Sequence, residues 1–224
     1  MLLIPAGVGM TASVALHEIE KLVPRMQESV KSKPMEQALI KDQVEELKQY
    51  TDGIISVLRK GGNKPMNIEE ALIRSFHNHE HRLSDRHISF GINVNDGVDT
   101  INCDKRFFIT MIMNLIDNSI YWLDTVYREN KKISVKVFVN IDGFVTVVFW
   151  DNGPGFKDDI TDLVRPFFSR RDDGIGIGMY LIDTIMMKYG KLDIVTDSVK
   201  RQQLGIPVDN QGAAIELIFS KNQE

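Results

Sequence analysis

Two asparagines, Asn114 and Asn118, stand one helical turn apart inside the apolar run Met113–Ile120, MNLIDNSI. An amide in a hydrophobic helix costs free energy unless something satisfies it. Such a helix must bury its apolar stripe in a core and turn the amide stripe toward a polar partner. The run extends to DKRFFITMIMNLIDNSIYWLDTVYRE, residues Asp104–Glu129, which predicts one long amphipathic helix. Beyond it, Lys132–Ile141 and Phe144–Gly153 alternate like paired strands around a turn at Asp142-Gly143. Further expectations are a helix over Ile68–Leu83, a strand over His87–Val94 and a helix over Gly176–Tyr189. Strands over Lys191–Val199 and Ala213–Ser220 close the chain. Strands in one sheet with helices on one face predict an α+β sandwich.

The N-terminal part follows another period. Ala12, Leu16, Ile19, Val23, Met26 and Val30 are spaced 4, 3, 4, 3, 4, a heptad seam on a helix. KSKP at Lys31–Pro34 interrupts it. A second seam runs through Ile40, Val44, Leu47, Thr51, Ile54 and Leu58 and stops at Gly61-Gly62. Two seamed helices joined by a short turn form an antiparallel hairpin, and two copies of it would bury all four stripes. The expectation is a homodimer built on a four-helix bundle. GGNKPMN, Gly61–Asn67, reads as a linker. The expected organisation is therefore a linker at 1–10 continuing from an upstream region, a dimerisation hairpin at 11–62 and a second domain at 63–224.

The hydrophobic share of 43% in 224 residues supports a core of this size. A net charge of -4 offers no general attraction to nucleic acid or to anionic lipid. Cys103 is the only cysteine, so neither a disulfide framework nor a thiolate metal site is available. No apolar run approaches the ~20 residues that span a bilayer. The apolar start, MLLIPAGVGMTASVAL, lacks a basic leader and is broken by Pro5 and Gly7, which argues against a signal peptide. A cytoplasmic position, with no nucleic-acid partner and no membrane contact by this segment, is expected. His77, His79 and His81 of HNHEH have alternate spacing, which does not stack ligands on one helical face, and with His87 they read as exposed polar residues rather than metal ligands.

Three segments of the second domain carry the chemistry. WDNGPGF, Trp150–Phe156, places Asp151 at a strand end, followed by Gly153 and Gly155. RPFFSRRDDGIGIGMYLI, Arg165–Ile182, ends with Gly174, Gly176 and Gly178 at a helix start. The third is the helix with the two asparagines. Together and in this order they resemble the nucleotide site of the GHKL ATPase superfamily, which includes sensor histidine kinases, type II topoisomerases, mismatch-repair ATPases and heat-shock chaperone ATPases. The resemblance covers about Lys64–Ser220 and implies a Bergerat-type α/β sandwich that binds ATP.

What the resemblance implies for single residues makes physical sense. Asp151 would accept a hydrogen bond from the adenine exocyclic amine, while guanine would present an acceptor there and leave the carboxylate unpaired. Gly153 and Gly155 would let the backbone approach the base. Gly174, Gly176 and Gly178, with Met179, would bring helix N–H groups to the phosphates. Ser169, Arg170 and Arg171 stand where the family often has Ser or Thr, a variable residue and Lys; Arg171 is the better match. Trp122 falls where the kinases often place an aromatic near adenine, and Tyr121 replaces their common basic residue. The stretch between Asp151 and Gly174 corresponds to the family's lid, with Phe156, Phe167 and Phe168 expected to pin it.

Asn118 matches the superfamily asparagine that ligates Mg2+, a hard ion suited to an amide oxygen beside a triphosphate. Hydrolysing members, and the anti-sigma and mitochondrial-type kinases, carry glutamate four residues earlier. Here that residue is Asn114, which cannot act as a general base near neutral pH. The site then needs a nucleophile that arrives competent, and neutral imidazole is one. SVALHEIEKL supplies His17-Glu18 beside the seam residue Leu16. This resembles the phosphoacceptor box of sensor histidine kinases, in which Glu18 would hold the Nδ1 proton and leave Nε2 free to attack the γ-phosphate.

The resemblance implies transfer from MgATP to His17, then to an aspartate of a response-regulator receiver domain. The receiver would dock below His17, where Lys21, Arg25, Gln27 and Glu28 face outward. The box departs from the family in having Lys21 where Thr or Asn is usual and Leu22 where proline is usual. Pro24 follows two residues later and should kink the helix. Weak phosphatase activity is the consequence expected. Two rivals stand beside this reading: a catalytically inactive ATP-binding scaffold of the same fold, and a GHKL ATPase or Ser/Thr kinase, which Asn114 disfavours.

Overall fold

The computed structural model describes residues 65–98, 100–166, 168–171 and 176–220, together with single helical positions at 23, 24, 27, 30 and 44. The chain divides into two compact units, Met1–Gly61 and Gly62–Glu224. The hairpin seams apart from Val23, Val30 and Val44, and with them His17-Glu18, Lys21 and Leu22, fall outside the described residues.

The second unit opens with β1 (Pro65–Asn67), α1 (Ile68–His77), α2 (Glu80–Asp85), β2 (Ile88–Val94) and β3 (Thr100–Asn102). Then come α3 (Lys105–Asp124), β4 (Lys131–Val139), β5 (Val145–Asp151) and the short α4 (Ile160–Leu163). The unit ends with α5 (Gly178–Tyr189), β6 (Gly190–Ile194), α6 (Ser198–Gln203) and β7 (Ala214–Phe219). β1 and β3 form a small antiparallel pair; the main sheet has the order β2-β4-β5-β7-β6. Its β2–β4 pair is parallel and its other pairs are antiparallel, so the fold is α+β with a mixed sheet.

The pleat sorts the side chains. In β4, Ile133, Val135 and Val137 face the main core, and across the register Asp151, Phe149 and Val147 of β5 share that face. α3 packs there with Phe107, Phe108, Met111, Ile112, Leu115, Ile116, Ile120 and Leu123, a 3.6-period stripe. Asp104 caps α3 by accepting from the Arg106 N–H at 3.0 Å, and Asn67 caps α1 by accepting from Glu70 at 2.8 Å. Cys103 is fully buried between these elements, and burial pushes its thiol up to about 12. The turn at Asp142-Gly143 is present, with Gly143 at φ 77° and the Asn140 side chain accepting from Asp142 and Phe144.

Several expectations are corrected. Ile68–Leu83 is two helices, because the Asn78 N–H closes α1 onto Arg74 and Phe76 and His79 turns inward. His79 is 4% exposed with Nδ1 3.0 Å from the Ser75 carbonyl, so it is a core residue and not an exposed one. The linker reading of Gly61–Asn67 ends early, since Pro65–Asn67 pairs with Thr100–Asn102. α3 stops at Asp124, and α5 begins at Gly178 because Gly176 has a left-handed φ of 74°. The strand expected over Lys191–Val199 ends at Ile194, and Asp197 caps a helix there by accepting from Lys200 at 2.8 Å. The helices are not confined to one face. A second, smaller core of Val148, Val195, Leu204, Ile206 and Ala214 covers part of the opposite face.

Candidate functional site

α3 is the spine of the site. At 100° per residue, Asn114, Asp117, Asn118 and Tyr121 share one stripe beside the buried face. Ser119, one residue on, turns into the core.

At the sheet end of this stripe lies Asp151, which is 2% exposed. Its Oδ2 accepts from Ser119 Oγ at 2.6 Å, and its Oδ1 accepts from the N–H groups of Gly153 at 2.8 Å and Ala213 at 3.2 Å. Burial raises the carboxyl above its ordinary range, while those three donors and the more distant Arg201 oppose the rise. Gly153 has no room for a larger residue: a Cβ there would lie 3.0 Å from Asp151 Oδ1 and 3.6 Å from Leu123. Gly155, at φ 75°, has its missing Cβ 2.6 Å from the Gln211 carbonyl. The Asp-x-Gly-x-Gly segment is thus a tight turn around a buried carboxylate.

At the other end, α5 starts beside the asparagines. A Cβ on Gly178 would lie 3.0 Å from Asn114 Oδ1 and 3.7 Å from Asn118 Nδ2. The Asn114 amide nitrogen donates to the Thr110 carbonyl at 2.8 Å, which leaves its oxygen facing Gly178. No side chain caps α5 at Ile177, so its first turn is left to other acceptors. Met179 is buried in the main core, 9% exposed. Gly174 lies outside the described residues, as does Phe167.

The lid arginines take different partners. Arg170 is exposed and pairs with both oxygens of Asp158, at 2.6 Å through Nε and 2.5 Å through Nη2. Arg171 reaches back to α3, donating to Asp117 Oδ2 at 2.7 Å, and its guanidinium stands 4.4 Å over the Tyr121 ring. A guanidinium thus stands over Tyr121, at the position where the resemblance implies a basic side chain. The Ser169 hydroxyl accepts from the Arg171 N–H at 3.1 Å. Trp122 is half-buried and meets Tyr121 edge-on at 5.1 Å. Phe156 packs on the main core, and Phe168 lies near Arg165 and Arg170.

Two functional candidates escaped sequence reasoning. Ser119 follows Asn118 in the motif but gave no sign that it would reach Asp151. Arg82 of α2 donates to Asp117 Oδ1 at 2.6 Å, so one carboxylate joins α2, α3 and the lid. Burial works to raise the Asp117 carboxyl, and Arg82 and Arg171 outweigh it and hold it below the usual range. Among the described residues no group of three His, Cys, Asp or Glu side chains is gathered for a metal. Nor is any described helix long and apolar enough to cross a membrane.

A buried carboxylate at the end of β5 and a helix start at Gly178 thus flank the stripe of α3 that carries Asn114 and Asn118. Residues 103–223 match the family described as histidine kinase-, DNA gyrase B- and HSP90-like ATPase. The chain belongs to this family. A probable C4-dicarboxylate sensor kinase of Halalkalibacterium halodurans is 29% identical over 92 residues, 40% of this chain and 17% of that protein. The sensor protein FixL of Bradyrhizobium diazoefficiens is 23% identical over 107 residues, 47% of this chain and 21% of that protein. The matches thus span about a fifth of the length of these curated relatives. The Acinetobacter baumannii histidine kinase AdeS shares the fold, with a TM-score of 0.63, 19% identity and coverage of 92% of this chain and 98% of that one.

Proposed function

We propose that this chain is the catalytic core of a two-component histidine kinase, transferring the γ-phosphoryl group of MgATP to His17 and then to a response-regulator aspartate. The observation that carries the reading is the contact of Gly178 with Asn114 and Asn118. It sets the open first turn of α5 beside two amides, neither of which is a general base, while Asp117 on the same stripe is engaged by Arg82 and Arg171. Such a site can orient a triphosphate, and its chemistry then depends on a nucleophile from elsewhere.

In this reading Asp151 accepts the adenine amine, with Ser119 and the backbone of Gly153 holding its oxygens. Gly153 and Gly155 give the base its approach, while Gly174, Gly176 and Gly178 border the phosphates. Arg171, with Ser169 behind its N–H, adds positive charge from the lid; Arg170 does so once released from Asp158. Trp122 and Tyr121 form the aromatic edge. Asn118, with Asn114 beside it, would hold Mg2+ through an amide oxygen, and the ion would offset phosphate charge. The donor set fits, since hard oxygen ligands are what this stripe supplies.

His17 Nε2 attacks the γ-phosphorus as the bond to the β–γ bridging oxygen breaks, and ADP departs. Glu18 holds the Nδ1 proton and stabilises the imidazolium that forms. The N-terminal hairpin, residues 11–62, supplies His17 and a dimeric four-helix bundle, with residues 63–224 as the ATP-binding domain. The receiver docks below His17 against the face bearing Lys21, Arg25, Gln27 and Glu28. Lys21 offers no amide or hydroxyl for dephosphorylating the partner, so phosphatase activity is weak.

Incubation with γ-labelled ATP and Mg2+ tests this. Acid-labile, alkali-stable label lost in His17→Gln is expected. Nucleotide binding with no label identifies an inactive scaffold, and steady phosphate release with no phosphoprotein identifies a hydrolase.

A further inference from the structure

The segment joining β6 to β7 belongs to none of the glycine motifs, yet it backs the base end of the site. α6 crosses the outer face of the sheet, and Leu204 and Ile206 behind it pack on Val148, Val195 and Ala214. From α6 the Arg201 guanidinium turns back onto the chain. Its Nη1 donates to the Val195 carbonyl at 2.9 Å. Its Nη2 donates to the Asn210 carbonyl at 3.0 Å, Asn210 Oδ1 at 3.2 Å and the Gly212 carbonyl at 3.0 Å. Asn210 Oδ1 also accepts from the Gly212 N–H at 2.9 Å. One planar fork therefore ties the start of the segment to its end, a geometry lysine cannot reproduce.

That end is the rear wall of the base-reading turn. The Asp151 N–H donates to the Ala213 carbonyl at 3.0 Å, and the Ala213 N–H donates back to Asp151 Oδ1. A Cβ on Gly212 would lie 2.1 Å from the Asp151 carbonyl oxygen, so the two backbones are in contact. The Gln211 carbonyl presses on Gly155 in the same way.

We propose that Arg201 is a positioning residue for adenine selectivity. By clamping Asn210 and Gly212 it holds the wall against which the Asp151 carboxylate and the Gly155 turn are set. The inference rests on the reading that Asp151 meets the adenine amine. A carboxylate selects amine over carbonyl only while its oxygens are held in line, because a loosened group can turn away from the unfavourable partner.

The test measures ATP and GTP affinities of the full chain and of four variants. Arg201→Gln is expected to lower the ATP-over-GTP ratio about tenfold, the scale of one misplaced hydrogen bond to a charged group. Arg201→Lys is expected to recover only part of it. Asn210→Ala, on the loop, is expected to lower it about threefold by the same logic, and it decides the matter if Arg201→Gln does not fold. A general loss of folded protein scales both affinities and leaves the ratio alone. An unchanged ratio in Asn210→Ala and in folded Arg201→Gln, beside a collapsed ratio in Asp151→Asn, overturns the inference and leaves the adenine reading standing. An unchanged ratio in Asp151→Asn overturns that reading, and the inference with it.

Discussion

Arg171 donates to Asp117 at 2.7 Å across 54 residues of chain, fastening the segment before α5 to the helix that carries Asn114 and Asn118. Arg82 holds the other oxygen of the same carboxylate. Asp117→Asn leaves two guanidiniums without their shared anion, and a loss of about 1–2 kcal/mol in urea unfolding is expected. The depressed Asp117 carboxyl contributes stability above the ordinary carboxylate range and loses it as the pH falls through its lowered value. The gap between wild type and Asp117→Asn should therefore narrow in acid. A gap that widened there would contradict the pairing.

The Ser119 hydroxyl donates to the Asp151 carboxylate at 2.6 Å. Ser119→Ala should weaken ATP binding about tenfold, the scale of one hydrogen bond to a charged acceptor, with little change in circular dichroism. Titration calorimetry measures it, and an unchanged affinity would mean that Asp151 is held well enough by Gly153 and Ala213.

Acid should weaken ATP binding from a higher pH than an ordinary carboxylate would give, because burial raises Asp151 and the amine needs an ionised acceptor. Stability runs the other way. A raised carboxyl takes up its proton more readily when folded, so its contribution is full below the unfolded value and is lost as pH rises through the folded one. Binding lost in acid while the fold persists is the expected pattern, followed by calorimetry and circular dichroism across the same buffers. Loss only where the domain unfolds would exclude Asp151 as the cause.

Asn114→Glu restores a carboxylate at the position facing Gly178. Phosphate release should rise relative to His17 labelling, by roughly the lower end of what a positioned general base supplies, ~100-fold. Parallel phosphate-release and acid-labile-label assays would show it; an unaltered ratio would remove Asn114 as the residue that sets the branch.

The local parts of this site were legible in the sequence because helices and strands repeat with fixed periods. The spacing of Asn114 and Asn118 puts both amides on one stripe of α3, and the two-residue pleat of a strand puts Asp151 on the same face as Phe149 and Val147. The boundaries failed where a single contact overrode the period, as at His79, which turns onto Ser75, and at Asp197, which starts a helix in what reads as a strand.

Other features had no local signal at all. Ser119 meets Asp151 and Arg82 meets Asp117 over separations of 32 and 35 residues, and Ala213 meets Asp151 over 62. Residue type and periodicity are local, so the order of residues alone put two amides on one face of a helix and a carboxylate at a strand end; the nucleotide roles came from the resemblance. What holds those residues in place is a property of the folded chain. A charged or hydroxyl side chain can serve many partners, and the packing of distant elements selects one: Arg171 over Tyr121, Ser119 on Asp151, Arg201 on Asn210 and Gly212.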